Sequence, residues 1–310
     1  MDMSLKPQIA LIADDLTGAA DAGAYFGQMG LVTIVALAPK DSILSLSKDA
    51  SPPPCNVLVV STESRHLARD EAMFQVRDAA RRIAAGGRPA WVYKKIDSTL
   101  RGHPGPELAA LMETLDLEQA LVAPAFPAQG RTTRAGRQRV DGAVQGGDLL
   151  ALFRATAGGR PVRGLGLDVI RCGPAAAGAA LRSSSSAGAI VIADAETGAD
   201  LAILAEAALV CGLRLLCGSA GLARALADAL PPLPVAPRPQ LPSQRGAGLP
   251  QRRSPRGAAL VVAGSRHPRT ARQVESARRQ GMEVVRPSPA FLDGGDEAVA
   301  AATQVVAGRL

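Results

Sequence analysis

Ile9-Ala10-Leu11-Ile12-Ala13-Asp14-Asp15-Leu16-Thr17-Gly18-Ala19 is the stretch that decides the fold class. Its five apolar residues make a run of the length of a buried strand. Two adjacent carboxylates end the run, a Thr-Gly pair follows, and a helix-like stretch begins. Strand, polar end and helix form the opening unit of an α/β fold, where ligands bind at the carboxyl ends of the strands. Two like charges side by side are costly to bury unless a cation or hydroxyl groups answer them. The motif therefore asks for a polyhydroxy or cationic ligand. An aspartyl-phosphate phosphatase would need its nucleophile two positions before Asp15, where Ala13 stands, and that activity is excluded.

Working outward, the unit repeats. The first strand reads as Gln8–Ala13, and further candidates are Val32–Leu37, Asn56–Ser61, Ala90–Lys95, Gln119–Ala123, Ala189–Ala193 and Arg214–Cys217. The spacing predicts an amphipathic helix over Leu67 to Ala85. Ala72, Met73, Val76, Ala80 and Ile83 share its apolar face, while Arg69, Asp70, Arg77, Asp78 and Arg81 face away. Gly86-Gly87 closes it. Residues 1–230 thus read as an α/β domain with a mostly parallel sheet flanked by helices. Residues 231–256 hold eight prolines and five arginines without an acid, and read as an exposed, extended linker. Ala258–Ala263 is a new strand, so residues 257–310 read as a partial second α/β domain. That piece is too small to bury a core of its own. It must pack on the first domain or on a partner chain, which leaves a homodimer open.

Composition narrows the function. The chain has 310 residues, 47% hydrophobic and 20% charged, ordinary values for a soluble protein. Its longest apolar stretch, Leu201 to Cys217, is broken by Glu206 and Arg214, so no membrane span is expected. Acidic residues arrive too early for a secretory signal, and a cytoplasmic location is expected. Cys55, Cys172, Cys211 and Cys217 are scattered, and His66, His103 and His267 lack ligand spacing, so no metal site is expected. The net charge of +7 suggests nucleic acid, but five of those charges belong to the linker. With aromatics at 3% there is little to stack bases on, and nucleic-acid binding is not expected.

Three further segments follow strand candidates. Lys94-Lys95-Ile96-Asp97-Ser98-Thr99-Leu100-Arg101-Gly102-His103 offers a point charge, a planar guanidinium fork and hydroxyls at a strand mouth. By itself it is as well explained by a solvated strand end; paired with Asp14-Asp15 it favours a site. Pro124 through Thr133 is held by two prolines and carries Arg131, Thr132 and Thr133; alone it reads best as a rigid turn. Gly264-Ser265, with Thr270 as a helix N-cap and Gln273 one turn later, forms an anion cradle or a plain strand-to-helix turn. There is no P-loop, no dinucleotide fingerprint and no hydrolase elbow.

Taken together these segments resemble the four-carbon acid sugar kinase family. The matching stretches are Ala13 to Ala19, Lys95 to Gly102, Pro124 to Thr133, Asp194-Ala195-Glu196-Thr197, Cys217 to Ala223, and Gly264-Ser265 with Thr270 and Gln273. The resemblance implies ATP-dependent phosphorylation of the terminal hydroxyl of threonate, erythronate or 3-oxo-tetronate, with Mg²⁺. It implies a sugar-acid-binding N-terminal domain and a nucleotide-binding C-terminal one. Asp14 and Asp15 would be the catalytic carboxylates, one of them the base. Lys95, Asp97, Ser98, Arg101, Gly102 and Arg131 would bind substrate. Gly264, Ser265, Thr270 and Gln273 would serve the nucleotide. Two departures stand out. Ala143 to Asp148 does not follow the family pattern after Val140-Asp141-Gly142. Family members also continue past Leu310 with a later phosphate loop that Gly294-Gly295-Asp296-Glu297 only faintly resembles, so the second domain reads as cut short. The alternative is a sugar-acid-binding remnant without a complete ATP site.

Overall fold

The computed structural model describes residues 6–37, 54–183, 188–237, 274–276 and 278–279. The chain separates into two compact units, Met1–Leu241 and Pro242–Leu310. In the first unit β1 (Ile9–Ala13) leads into α1 (Leu16–Gln28), β2 (Thr33–Leu37), β3 (Val57–Ser61), α2 (Arg69–Ala85), β4 (Trp91–Lys95), α3 (Pro104–Leu115) and β5 (Gln119–Ala123). Three short strands follow, β6 (Arg131–Arg134), β7 (Arg137–Val140) and β8 (Ala143–Asp148). The unit continues with α4 (Leu149–Thr156), β9 (Val162–Leu165), α5 (Leu167–Ile170), α6 (Pro174–Ser183), β10 (Ala189–Ala193), α7 (Gly198–Val210), β11 (Leu215–Gly218) and α8 (Ala220–Ala229).

Eight strands form one sheet in the order β2-β3-β1-β4-β11-β5-β10-β9, with every pair parallel. Alternation along each strand sends side chains to opposite faces. Ile9, Leu11, Ala13 and Tyr93 pack with Phe26 of α1, Leu181 of α6, Leu204 of α7 and Leu222 of α8. Ala10, Ile12 and Val92 pack with Val76 of α2, Leu111 of α3 and Phe153 of α4. Burial on both faces is why these strands read as continuous apolar runs. The α/β architecture expected from the sequence is the one found.

All seven strand candidates occur, within one residue at each end. The helix expected over Leu67 to Ala85 begins at Arg69 and buries Ala72, Val76, Ala79, Ala80 and Ile83. Four strands were not anticipated. β9 is Val-Arg-Gly-Leu at the sheet edge, with only its two ends buried. β6, β7 and β8 form a separate antiparallel meander that takes in the end of the Pro124–Thr133 segment. Its strands carry Arg131, Arg134, Arg137 and Arg139, so no apolar alternation marks them. The departure from the family pattern at Ala143 to Asp148 is the strand β8, which pairs with β7 through a register shift between Arg137 and Arg139.

The first residues of the Pro-rich stretch are held by the sheet. Asn56 donates to the Pro234 carbonyl at 2.7 Å, and its Oδ1 accepts from Ala236 N at 2.9 Å and Val32 N at 3.0 Å. The remainder of the expected linker lies outside the described residues. So do the strand over Ala258–Ala263, Gly264, Ser265, Thr270, Gln273 and Gly294 to Glu297.

Candidate functional site

The chain leaves β1 toward β2 and β3 on one side and later places β4 on the other side of β1. The crevice at such a reversal, beyond the carboxyl ends of the strands, is where open α/β sheets bind ligands. Asp14 and Asp15 follow β1, Lys95 ends β4 and Asp97 follows it, and Ala13 is in register with Lys95.

The two adjacent carboxylates are answered from within the chain, by Arg65. Its Nε and Nη2 donate to Asp14 at 2.9 and 2.8 Å, and its Nη1 and Nη2 donate to Asp15, both at 2.7 Å. The Asp97 carboxylate lies 3.9 Å from Nη1. Burial works against the charge on Arg65, but hydrogen bonding and attraction to Asp14, with the charges of Asp15 and Asp97, raise its pKa above the ordinary arginine value. Arg65 sits in the loop after β3, which is the strand beside β1. That loop is tied down by Thr62, whose N and Oγ1 both donate to the Ala13 carbonyl at 2.9 Å, and by the Arg65 N–H to the Asp14 carbonyl at 3.1 Å. The cation that the Asp-Asp pair demands was thus missed by the sequence reading. Its one signal was a polar Ser61-Thr62-Glu63-Ser64-Arg65-His66 run after a strand candidate.

Asp15 also caps α1, accepting from Gly18 N at 2.9 Å. A Cβ at Gly18 would fall 2.5 Å from Asp15 Oδ1 and 2.7 Å from Lys95 Nζ, so glycine is what lets the lysine lie over this first turn. Lys95 is 5% exposed, and its Nζ donates to the Ile96 carbonyl at 3.0 Å. Burial holds its ammonium below the ordinary lysine range, against the pull of Asp14 and Asp15. Lys94 projects to the opposite face. There it meets Glu107 of α3 at 2.6 Å in a pair sealed from solvent, so Lys94 belongs to the core and not to the crevice.

The loop after β4 folds around Asp97. Arg101 holds that carboxylate with Nε and Nη2, both at 2.9 Å, and Thr99 donates to it from both N and Oγ1. Burial alone would push the Asp97 carboxyl up. The hydrogen bonds from Arg101 and Thr99 and the nearby Arg65 reverse this and hold it well below the usual carboxylate range. Gly102 has φ +84°, and a Cβ there would lie 3.4 Å from the Arg65 Cα, so the glycine closes this loop onto the Arg65 loop.

Asp14, Asp15, Lys95, Asp97, Arg101 and Gly102 are therefore brought together around Arg65. Ser98 lies in the same loop, and its carbonyl accepts from Gln138 of β7. Arg131 lies on β6, where Nη1 donates to Gln129. No hydrogen bond or ion pair joins it to the aspartates among the described residues. A groove of about 560 Å³ elsewhere on the unit is lined by Arg69, Arg77, Glu113 and Arg160, and by none of the candidate residues. What marks the site is the convergence of charged side chains at the strand reversal.

Residues 9–157 and 146–226 match the sequence profile of the sugar-binding N-terminal domain family. The chain is 36% identical over 301 residues to a D-threonate kinase of Cupriavidus necator, covering 92% of this chain and 67% of that protein. It is 34% identical over 288 residues to a D-threonate kinase of Salmonella typhimurium, covering 88% of this chain and 62% of that one. Further relatives are named D-erythronate and 3-oxo-tetronate kinases. A crystal structure of a domain of unknown function from Bordetella bronchiseptica, with bound citrate and described as a domain-swapped dimer, superposes with a TM-score of 0.59 at 31% identity. It covers 72% of this chain and 57% of that one. The chain thus spans about two thirds or less of the length of these relatives.

Proposed function

The chain belongs to the four-carbon acid sugar kinase family, and from that premise we propose that it serves the ATP-dependent phosphorylation of a four-carbon sugar acid. The substrate class is that of threonate, erythronate or 3-oxo-tetronate. The observation that carries the reading is the cluster of three carboxylates and three cations at the strand reversal. Such a set offers both hydroxyl acceptors and carboxylate partners to a small polyhydroxy acid. Arg101 engages Asp97 through Nε and Nη2 and is largely exposed, leaving donors that reach outward to a substrate carboxylate. Lys95 adds a buried ammonium with hydrogens to spare beyond its single bond to Ile96.

In the reaction the terminal hydroxyl of the sugar acid attacks the γ-phosphorus of ATP. Its proton passes to an aspartate as the bond to the departing ADP breaks. Asp15 is the better placed acceptor, since its side chain is 23% exposed against 4% for Asp14. Gly264, Ser265, Thr270 and Gln273 are proposed to bind the nucleotide. Among the described residues no group of three or more acidic, histidine or cysteine side chains could hold a metal. A Mg²⁺ ion arriving with ATP would be held chiefly by the phosphates, where it would neutralise charge. A cytoplasmic location accords with four unpaired cysteines and with the lack of a membrane-spanning helix among the described residues. The domain-swapped Bordetella relative supports a homodimer, which light scattering would register as twice the chain mass.

A coupled ADP-release assay with D-threonate, D-erythronate and 3-oxo-tetronate tests the activity. Turnover of one of them is expected, and Asp15→Asn and Arg101→Ala should each abolish it while leaving the far-ultraviolet circular dichroism unchanged. No turnover of any of the three would remove the kinase reading. Binding without turnover would leave a sugar-acid-binding protein. A second expectation concerns pH. Because burial lowers the Lys95 pKa, its charge is lost below the ordinary lysine value of about 10.4. Sugar-acid affinity should therefore fall as pH rises toward that value, and Lys95→Arg should remove the fall. An affinity flat with pH in the wild type would take Lys95 out of the site.

A further inference from the structure

The polar meander β6-β7-β8 reaches the substrate segment through Gln138 and the end of β10 through Thr133, Ala135 and Gly136. Resting on the sugar-acid reading, we propose that Gln138 is a positioning residue that holds the Asp97–Arg101 loop in its binding geometry, and that Asp194 holds Gln138 in place. Gln138 is 3% exposed, and its side-chain amide donates to the Ser98 carbonyl, in the middle of that loop. The loop needs such support. Leu100 has φ +64°, a conformation a branched side chain adopts only when its surroundings impose it. The Asp97–Arg101 pair at its far end is open to solvent on the arginine side.

The meander is in turn fixed at its own turn. Ala135 and Gly136 join β6 to β7 with φ +52° and +68°. Their N–H groups donate to the buried Asp194 carboxylate at 2.7 and 3.0 Å. The next residue, Ala195, exchanges two backbone hydrogen bonds with Thr133, at 2.8 and 3.0 Å. Thr133 is directly opposite Gln138 in the β6–β7 ladder, and directly opposed residues share a face. Asp194-Ala195 thus grips the hairpin at its turn and along β6, and Gln138 passes that fixation to Ser98. The Asp194-Ala195-Glu196-Thr197 motif gains a role in the site without touching the ligand. Glu196 braces the same junction by pairing with Arg134 at 3.3 Å, and Thr197 caps α7.

The test compares wild type with Gln138→Met, which keeps the side-chain length and loses the donor, with Gln138→His, with Asp194→Asn, and with the Gln138→Met/Asp194→Asn pair. Two quantities are read: hydrogen exchange of residues 97–101 without ligand, and the dissociation constant for D-threonate. Gln138→Met should speed exchange over 97–101 and weaken binding roughly fivefold, the worth of about one hydrogen bond, with the melting temperature lowered by only a few degrees. Gln138→His, whose Nε2–H has the same reach, should restore binding to within about twofold of wild type on that scale. The double variant should lose no more than the larger single loss, because both act along one path. Unchanged exchange in Gln138→Met, or faster exchange with unchanged affinity, would overturn the proposal. Faster exchange in a chain whose wild type binds no sugar acid would leave the contact standing and remove the sugar-acid reading instead.

Discussion

Arg65→Ala is expected to destabilise the first unit by about 3–5 kcal/mol, the range for stripping a buried charge of its partner, and to abolish sugar-acid binding. Four guanidinium hydrogen bonds end on Asp14 and Asp15, and Asp97 lies within ion-pair distance. Without the guanidinium, Asp14 and Asp15 would lose all four of these hydrogen bonds, and Arg101 would remain committed to Asp97. Arg65→Lys should recover part of the stability but not the binding geometry, since one ammonium cannot reproduce a planar fork shared between two carboxylates. Urea unfolding followed by circular dichroism reads the first effect and calorimetry the second. A loss under about 1 kcal/mol, the range of an exposed ion pair, would mean that Arg65 does not hold the cluster.

The second large effect lies on the other face of the sheet. Glu107→Ala should also cost about 3–5 kcal/mol, because it leaves the Lys94 ammonium buried without its ion-pair partner. Burial alone would lower the Lys94 pKa, but Glu107 and Asp14 raise it above the ordinary value. Since the folded-state pKa is raised, this stabilisation is present below the unfolded lysine value of about 10.4 and is lost as pH rises through the folded one. Acidic and neutral pH should not weaken the pair through Lys94. Replacing both partners, Lys94→Met with Glu107→Leu, should restore stability to the wild-type level or above it, since apolar side chains of similar volume carry no desolvation penalty. Thermal unfolding of the three proteins checks this. A double variant no more stable than Glu107→Ala would show that packing around α3, and not the orphaned charge, sets the cost.

These two arginine and lysine sites show what the sequence could and could not disclose. Strands buried on both faces are apolar runs, so the sheet from β1 to β11 was legible in outline. The end of β1 was legible too, because Asp-Asp after such a run has few purely structural explanations. Arg65 was not, since nothing local links it to residues fifty positions earlier; only the pairing of β3 with β1 does. Lys94 and Lys95 look alike in sequence, yet strand alternation sends one to a core ion pair and the other to the crevice. The meander escaped because its strands are arginine-rich and half exposed. Its Asp141-Gly142 turn, with φ +49° and +84°, was the one hairpin signal present. Arg131 stood out as a donor in the Pro124–Thr133 segment, and its contacts are with Gln129 and Phe126 of that segment.

The carboxylates and cations at the ends of β1 and β4 are proposed to form the sugar-acid site. Isothermal titration of the 310-residue chain with D-threonate, D-erythronate and 3-oxo-tetronate at neutral pH tests it most directly. One-to-one binding of at least one of the three is expected, lost in Arg101→Ala and retained in Arg77→Ala, a change in the groove away from the cluster. Absence of binding by all three, or binding that survives Arg101→Ala and is lost in Arg77→Ala, would contradict it.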